Sequence, residues 1–381
     1  MDHASAMPVR PEAIDAMRAA EGFWANPGAL HKEAVAAKAA LETARAAIAL
    51  ELAVKPRELV FTSGLTESNN LAILGLARAL EIRGTDLRNT HWITSAIEHD
   101  AVLECFAEIE RRGGRVTHVD PDQGGIIPAE AVVRALRPET VLVSIGWANS
   151  EIGIVQPLRD ISRAIRAIST ALMHSDAGQA PLYLHPHAHS LGVDLLSIGS
   201  NKLGGPHGVG AVYLSNSAAL SGVLRGGRQE RGLRAGTENI AIAAGFAAAM
   251  KQTGLERHEA GTTVQHLRDI LQSRLESAVP GILVNGSLRH LLPHVLNVSI
   301  PGISSEYVTL ALDAAGIAIS TKSACREGES PESHVVKALG GPEWRATNTL
   351  RFSLSPALTE ADIERVVGAL ADTLGRHRTS A

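Results

Sequence analysis

One lysine in this chain stands where a lysine can take part in chemistry. Lys202 follows the apolar run Leu195-Leu196-Ser197-Ile198 and precedes the glycine-rich stretch Gly204-Gly205-Pro206-His207-Gly208. Glycines let the backbone approach a ligand closely. Most lysines at strand ends are solvated surface charges, so Lys202 alone does not predict a catalytic site. A second residue is needed to support that interpretation.

That second residue is Asp176, which ends another apolar run, Ala171-Leu172-Met173-His174-Ser175. An amine that forms a Schiff base and a carboxylate that binds a pyridinium nitrogen are the two groups that pyridoxal phosphate requires. The alternative for Asp176 is an ordinary capping or turn aspartate, which the sequence leaves open. Together, Lys202 and Asp176 predict a site for this cofactor.

The chain has two cysteines, and their surroundings differ. So few thiols in a chain of this length argue against a disulfide framework and for a reducing compartment. Cys105 lies among apolar neighbours in the helical run 101–111, as a buried inert thiol does. Cys325 lies instead in a run rich in Gly, Ser and Pro, where Lys322 and Arg326 favour the reactive thiolate. We expect Cys325 to be exposed and nucleophilic.

Five further stretches complete the pattern. They are Phe61-Thr62-Ser63-Gly64-Leu65-Thr66-Glu67-Ser68-Asn69-Asn70, Glu98-His99-Asp100-Ala101-Val102-Leu103, Asn149-Ser150-Glu151-Ile152-Gly153, Gly227-Arg228-Gln229-Glu230-Arg231-Gly232-Leu233-Arg234-Ala235-Gly236-Thr237-Glu238-Asn239 and Ser323-Ala324-Cys325. From Asp2 to its last helix, the chain resembles the NifS/IscS group of cysteine desulfurases, within the class V aminotransferase-like enzymes. The resemblance implies the type I fold of pyridoxal-phosphate-dependent transferases, an α/β fold with a mostly parallel seven-stranded sheet and a smaller α+β domain.

The resemblance also implies the roles of individual residues. The catalytic residues would be Cys325, Lys202 and His99, with His99 stacked on the cofactor ring and shuttling protons. The cofactor-binding residues would be Leu65, Thr66, His99, Asn149, Asp176, Gln179, Ser200, Asn201, Lys202 and Thr237. Leu65 and Thr66 begin a helix whose N-terminus suits a phosphate, although Ser and Thr are common at helix starts without any ligand.

Two of the implied roles lie away from the cofactor ring. Thr237 would reach the phosphate of the neighbouring subunit, which makes the enzyme an obligate homodimer. The alternative is that Arg234 and Thr237 serve only a local turn. Arg351 would bind the carboxylate of the substrate through its planar guanidinium, where a strand-edge surface arginine is the alternative.

The sequence departs from the family pattern at three places. Gly199-Ser200-Asn201-Lys202 stands where relatives show Ser-Gly-His-Lys or Ser-Ala-His-Lys, so Asn201 can donate a hydrogen bond but lacks the charge of an imidazolium. We expect cofactor binding that is retained but weaker. Leu354-Ser355-Pro356-Ala357 replaces a common Gly-Arg, with an effect expected at the surface. Lys322 replaces a common glycine and is expected to alter loop dynamics or the choice of acceptor.

Composition bounds the remaining possibilities. With 381 residues and a net charge of -4, the chain is long enough for two domains and lacks a polybasic surface for direct nucleic-acid binding. We expect a large cofactor-binding domain at 15–255 and a small domain formed by 1–14 with 256–381. No leader or membrane-spanning run is evident, which favours a cytoplasmic protein. The alternating histidines of 185–189 are interpreted as a surface connection, and no metal site is assigned.

Apolar strand-like runs alternate with helical patterns between Leu59 and Leu214, which predicts a parallel sheet covered on both faces. In such sheets the ligand binds at the carboxyl ends of the strands, where the quoted motifs fall. Two separate helices, 240–250 and 256–279, are expected to lead to the small domain. That domain would contain strands at 295–300 and 350–354 and a closing helix at 360–374.

The activity implied by the resemblance is that of a cysteine desulfurase. It would convert L-cysteine to L-alanine, hold the sulfur as a persulfide on Cys325, and pass it to acceptor proteins for iron–sulfur cluster assembly or for thiolation of tRNA or cofactors. One alternative is a selenocysteine lyase or a cysteine-sulfinate desulfinase. Another is a weakly catalytic scaffold for sulfur-acceptor proteins, motivated by Gly199 and Asn201.

Overall fold

The computed structural model describes residues 1–321 and 332–380, with 378–380 described as backbone alone. The predicted nucleophile Cys325 and its neighbours Lys322 and Arg326 therefore lie outside the described residues. Two sheets are present in the described ranges. The strands of the larger sheet are β1 Leu59–Thr62, β2 His91–Ser95, β3 Arg115–Val119, β4 Thr140–Ser144, β5 Leu172–Asp176, β6 Leu195–Gly199 and β7 Gly210–Leu214.

The larger sheet has the strand order β1-β7-β6-β5-β4-β2-β3. The pairs β6–β5, β5–β4, β4–β2 and β2–β3 are parallel, and β7 runs antiparallel to both of its neighbours. Helices connect the parallel strands, as crossover connections require. The predicted mostly parallel, seven-stranded sheet is confirmed.

Neighbouring residues of one strand point into different apolar clusters. On β2, Trp92 belongs to the cluster on one face of the sheet and Ile93 to the cluster on the other. Leu195 and Leu196 divide in the same way on β6. This alternation is the two-residue period of a strand, and both faces are buried because helices cover each of them.

The helices form the outer layers. They are α1 Pro11–Ala20, α2 Lys32–Glu51, α3 Leu65–Ile82, α4 Asp100–Arg111, α5 Ala129–Ala135, α6 Leu158–Arg166, α7 Ala188–Leu191, α8 Ile240–Ala278, α9 Ser305–Ala314, α10 His334–Ala338, α11 Trp344–Thr347 and α12 Glu360–Ser380. Side chains of α3 and α4 fill one cluster beside the sheet, and those of α2, α6 and α8 contribute to the other.

Helix α8 corrects one expectation. The two helices expected at 240–250 and 256–279 are one continuous helix, Ile240–Ala278. The intervening sequence contains a glycine but no proline, so nothing removes a backbone hydrogen bond there. Gly254 also lies against α2, since a Cβ at this position would lie 2.4 Å from Oε2 of Glu51.

The smaller sheet is antiparallel, in the order β10-β9-β8. Its strands are β8 Leu283–Val284, β9 Val295–Ser299 and β10 Thr349–Ser353. The chain start joins this sheet, because Asp2 forms a parallel bridge with Ser353. This bridge agrees with the assignment of 1–14 to the small domain, although the division itself stays a prediction.

Within the described ranges, none of the helices combines the length and the apolar character that crossing a bilayer would require.

Candidate functional site

A cavity of about 390 Å³ opens at the carboxyl ends of the central strands. Asp176 ends β5, Lys202 follows the end of β6, and Leu65 follows the end of β1. The predicted residues that line the cavity are Leu65, Thr66, His99, Asn149, Asp176, Gln179, Asn201, Lys202 and Arg351. The fold therefore brings most of the predicted site together from motifs far apart in the sequence.

The N-terminus of α3 forms one wall of the cavity. The first backbone N–H groups of a helix have no partner inside it, and the first two residues of α3, Leu65 and Thr66, line the cavity. Gly64 precedes the helix with a φ of +154°, which favours glycine. A Cβ on Gly210 would lie 2.7 Å from the carbonyl carbon of Gly64, so two glycines permit this turn. The wall suits an anion.

Asp176 presents its carboxylate to the cavity with fixed orientation. Oδ2 accepts a 2.7 Å hydrogen bond from Nδ2 of Asn69, and Oδ1 accepts one of 2.8 Å from the backbone N–H of Gly178. Both donors are neutral, so they orient the carboxylate without neutralising its charge. Asn69 belongs to a motif singled out in the sequence but was given no role there.

Lys202 is held by the start of the chain. Its Nζ donates to the carbonyl oxygens of Ala4, at 2.8 Å, and Ser5, at 2.7 Å. Ala4 and Ser5 themselves line the cavity. These two hydrogen bonds orient the amine toward the cavity wall formed by the start of the chain.

His99 caps helix α4 and faces the cavity. Its Nδ1 accepts a hydrogen bond from the backbone N–H of Ala101 at 3.1 Å. In the neutral ring the proton must then be on Nε2. The cap therefore selects the tautomer that the cavity meets.

Glu98 is a buried carboxyl group that the sequence analysis left without a role. It lines the cavity, where its Oε1 accepts from Oγ of Ser95 at 2.5 Å and its carboxylate oxygens accept from the backbone N–H of Gly146 at 3.0 and 2.9 Å. Burial, together with repulsion by Asp176, raises the pKa of Glu98 to about 7. Its position directly before His99 was the signal available in the sequence.

The amides of Asn149 and Gln179 lie on the cavity but are also used by the backbone. Nδ2 of Asn149 donates to the carbonyl of Ile97 at 2.7 Å, and Nε2 of Gln179 donates to that of Ala4 at 2.8 Å. Each amide nitrogen carries a second proton. Both side chains can therefore donate one hydrogen bond to a ligand while keeping these contacts.

Two predicted cofactor residues do not line the cavity. Ser200 is fully buried, and its Oγ lies only 2.1 Å from where a Cβ of Gly205 would stand. Thr237 is exposed. Arg234, near Thr237, donates from Nε to Oε1 of Glu67 in the first turn of α3 at 2.9 Å, while the backbone N–H of Gly236 donates to Oε1 of Gln229 within the segment.

The departure at Gly199 has a steric reason. A Cβ at this position would lie 3.1 Å from Cβ of Leu65, closer than side chains ordinarily approach. The absence of a side chain lets the end of β6 lie against the start of α3. A serine here would displace the anion-binding wall by a few tenths of an ångström.

The chain enters and leaves the stretch that carries Cys325 at the rim of the cavity. On one side, the backbone of Ser320 exchanges hydrogen bonds of 2.7 and 3.2 Å with that of Arg351. On the other, Ser333 donates to the buried carboxylate of Glu151, and Nε2 of His334 donates to the carbonyl of Glu98 at 3.0 Å.

The family model for class-V aminotransferases matches residues 1–366. This chain belongs to that family. Among its relatives in the family is the cysteine desulfurase IscS of Dictyoglomus turgidum, which is 35% identical over 380 residues covering 100% of this chain and 95% of the relative.

Solved structures extend the family likeness to three dimensions. A NifS-like protein superposes with a TM-score of 0.90 at 31% identity, covering 98% of each chain. A second neighbour, SspA in complex with cysteine, gives a TM-score of 0.81 at 32% identity over 94% of this chain and 99% of its own. The family and the type I fold expected from the sequence are confirmed.

Class-V aminotransferases use pyridoxal phosphate, and the donors around the cavity fit that molecule. The cofactor carries an aldehyde, a pyridine nitrogen and a phosphate. The cavity offers an amine at Lys202, a carboxylate at Asp176, and the N-terminus of α3. Each reactive part of the cofactor therefore has a chemically matched group in this chain.

Proposed function

We propose that this chain is a pyridoxal-phosphate-dependent cysteine desulfurase, which converts L-cysteine to L-alanine and takes the sulfur as a persulfide on Cys325. The observation that supports this most is the convergence of Lys202, Asp176, His99 and Arg351 on one cavity. An amine, an anion, a proton donor and a guanidinium together suit a cofactor and an amino acid.

The cofactor would be held at three points. Lys202 would bind its aldehyde carbon, Asp176 its pyridine nitrogen, and the N–H groups of Leu65 and Thr66 its phosphate. Ser200 and Asn201 would support the phosphate side, and Thr237 of a second subunit would complete it. When bound, pyridoxal phosphate supplies an electron sink for the charge left by loss of the substrate's α-proton.

Proton transfer is assigned to two residues of the cavity. Nζ of Lys202 would accept the α-proton of the substrate. His99, whose cap leaves the proton on Nε2, would donate from that atom. His99 would therefore assist the proton transfer as a hydrogen-bond donor from Nε2.

Arg351 would bind the α-carboxylate of the substrate through its guanidinium. The backbone of Arg351 is hydrogen-bonded to that of Ser320, and five residues of fully extended chain span at most about 18 Å. Cys325 is five positions beyond Ser320 in the sequence, which supports the proposal that its thiol reaches the substrate. The thiolate would attack the sulfur of the substrate, so that an S–S bond forms as the Cβ–S bond breaks and its electron pair goes to the carbon that becomes the methyl group of alanine.

The activity is tested by measuring sulfide and alanine released from L-cysteine by the cofactor-loaded protein with a thiol reductant present, which reduces the persulfide and releases its outer sulfur as sulfide. We expect equal amounts of both, lost in Cys325→Ala, while Lys202→Ala loses the absorbance of the bound cofactor near about 400 nm. Turnover of selenocysteine or cysteine sulfinate that survives Cys325→Ala would favour the lyase or desulfinase alternative. Bound cofactor without turnover of any substrate would favour the scaffold.

The biological setting follows from the reaction. A persulfide needs an acceptor, so we propose that the chain works with a sulfur-acceptor protein of iron–sulfur assembly or of tRNA or cofactor thiolation. We also propose that it works as a homodimer and in the cytoplasm. We retain the division into a large domain at 15–255 and a small domain of 1–14 with 256–381. The catalytic cysteine would belong to the small domain.

A further inference from the structure

The guanidinium of Arg351 already holds a carboxylate from its own chain. Its Nη2 donates to Oδ1 of Asp2 at 2.7 Å and to Oγ of Ser5 at 2.8 Å, and its Nη1 donates to the carbonyl of Ser150 at 3.0 Å. The side chain of Arg351 is 2% exposed and that of Asp2 is 27% exposed. The pair is therefore partly shielded from water and lies at the cavity wall.

The segment that carries Asp2 is fixed in the site. Asp2 bridges Ser353 on strand β10, and the backbone N–H of Ala4 donates to Oγ of Ser353 at 2.9 Å. Beyond it, the carbonyl of Ala4 accepts from Lys202. Residues 1–5 thus lie between the cofactor lysine and the arginine, and the carboxylate of Asp2 is delivered to Arg351 by ordered backbone.

The geometry of the guanidinium makes this contact competitive. A carboxylate is gripped by two parallel N–H groups, either Nε with Nη2 or Nη1 with Nη2. Both arrangements need Nη2, whose two protons serve Asp2 and Ser5. Nε is buried without a hydrogen-bond partner among the described residues. A second carboxylate can be bound in two-pronged fashion only after Asp2 or Ser5 moves.

We propose that Asp2 is an internal competitor for the α-carboxylate of the substrate at Arg351, and that this exchange sets the affinity and selectivity of the site for carboxylate ligands. The inference rests on the proposed function, which assigns the substrate carboxylate to Arg351. Exchange of one carboxylate for another keeps the buried guanidinium paired, which avoids the cost of an unpaired buried charge. A ligand without a carboxylate leaves Asp2 on Arg351, so the pair lowers the affinity of the site for carboxylate ligands and not for amines that lack a carboxylate.

The test compares binding of L-alanine and L-alaninamide, which differ only in the carboxylate, to the cofactor-loaded protein by calorimetry. Asp2→Asn keeps the shape of the side chain and removes its charge. We expect Asp2→Asn to bind L-alanine about tenfold more tightly, with alaninamide unchanged. Asp15→Asn, which neutralises a carboxylate that is 75% exposed, is the matched control and should bind both ligands as the wild type does.

Kinetics and exchange give independent readouts. Asp2→Asn should lower KM for L-cysteine with kcat little changed, because it alters binding rather than the chemical step. In the wild type, L-alanine but not alaninamide should speed hydrogen–deuterium exchange of residues 1–5. This second measurement needs no variant and stands if Asp2→Asn fails to fold.

The inference is overturned if Asp2→Asn leaves the affinity for L-alanine unchanged or weaker, or shifts both ligands equally. It is also overturned if L-alanine leaves exchange of residues 1–5 unaltered. Failure of the proposed function has a different signature. In that case the protein releases no alanine from any sulfur amino acid, whatever the binding measurements show.

Discussion

Glu98 and His99 are neighbours in the sequence with opposite environments. His99 caps a helix and faces the cavity, whereas the carboxyl group of Glu98 is buried in the cavity wall and accepts from Ser95 and Gly146. A Cβ on Gly146 would lie 2.8 Å from Oε2 of Glu98, so the carboxyl fills the space above a glycine. The carboxyl group of Glu98 therefore stays protonated in the folded protein up to about pH 7, because burial raises its pKa to that value.

This raised pKa predicts a pH-dependent stability. The unfolded chain releases the proton near its usual pKa of 4.5, so the free energy of unfolding falls as pH rises from there through the folded pKa of about 7. The loss from this group amounts to about 3 kcal/mol. Glu98→Gln should lack it, because an amide does not titrate. Denaturant unfolding at pH 5 and pH 8 measures the difference.

Glu104→Gln provides the control for this measurement, since Glu104 is an exposed glutamate on the same helix, α4. It should keep the wild-type dependence on pH. The prediction would be contradicted if the difference in unfolding free energy between the wild type and Glu98→Gln were the same at pH 5 and at pH 8. That result would indicate that water reaches the carboxyl.

At the level of single residues, the sequence could supply types and spacing but not surroundings. Lys202 and Asp176 were found because both end apolar runs, and strand ends converge in a parallel sheet. The contacts of Glu98 and of the Asp2–Arg351 pair depend on which atoms meet across 48 and 349 positions. No local pattern records such distances, so these two features emerge only from the fold.

Two glycines of helix α8, Gly245 and Gly254, have surroundings that leave different room for a side chain. A Cβ on Gly245 would lie 2.6 Å from Cγ of Met17 and 3.1 Å from Cγ of Pro206, whereas one on Gly254 meets only the carboxylate end of Glu51. The ring of a proline cannot rotate away, but a glutamate side chain can. The two positions share a helical backbone and differ in what they touch.

We therefore expect opposite effects from the same substitution. Gly254→Ala should stabilise the protein by about 0.5–1 kcal/mol, since alanine favours the helix and Glu51 can move. Gly245→Ala should destabilise it by about 1–2 kcal/mol through overpacking. Thermal unfolding of both variants beside the wild type measures the sign. Stabilisation by Gly245→Ala would mean that α1 shifts without cost.

The element boundaries in the sequence were clear where the hydrophobic period changed. Alternation of strand-like and helical runs predicted the parallel sheet, and the strands expected at 295–300 and 350–354 lie within one residue of β9 and β10, whereas β8 was not predicted. The sequence does not show the continuity of α8, because the stretch 251–255, which contains Gly254, separates an apolar run from a charged one. Packing against α2 and α1 keeps this stretch helical, and that is a property of the folded molecule.

At the level of the whole molecule, the exposed Thr237 predicts a site shared between subunits. Hybrid dimers of Lys202→Ala and Thr237→Ala would then contain one site with both changes and one with neither. We expect mixed subunits, refolded together at limiting cofactor, to regain sulfide release that neither variant shows alone. The measurement is sulfide production against the ratio of the two variants.

The control mixes Thr237→Ala with the double variant Lys202→Ala/Thr237→Ala. Every hybrid site then lacks Thr237, so activity should stay at the level of Thr237→Ala. If Thr237 served the cofactor of its own subunit, the first mixture would also contain no intact site. Activity that does not rise on mixing would therefore refute the shared site.

The burial of Cys105 has a practical consequence for following sulfur through the protein. Its Sγ donates to the carbonyl of Ala101 at 3.2 Å, and burial raises the pKa of the thiol to about 12, as its predicted inertness requires. Alkylation of the native protein should therefore modify one thiol per chain, and two after denaturation, as counted by intact mass. Cys325 can then serve as the single site for attaching a fluorophore or a mass label, and Cys105 does not need to be replaced.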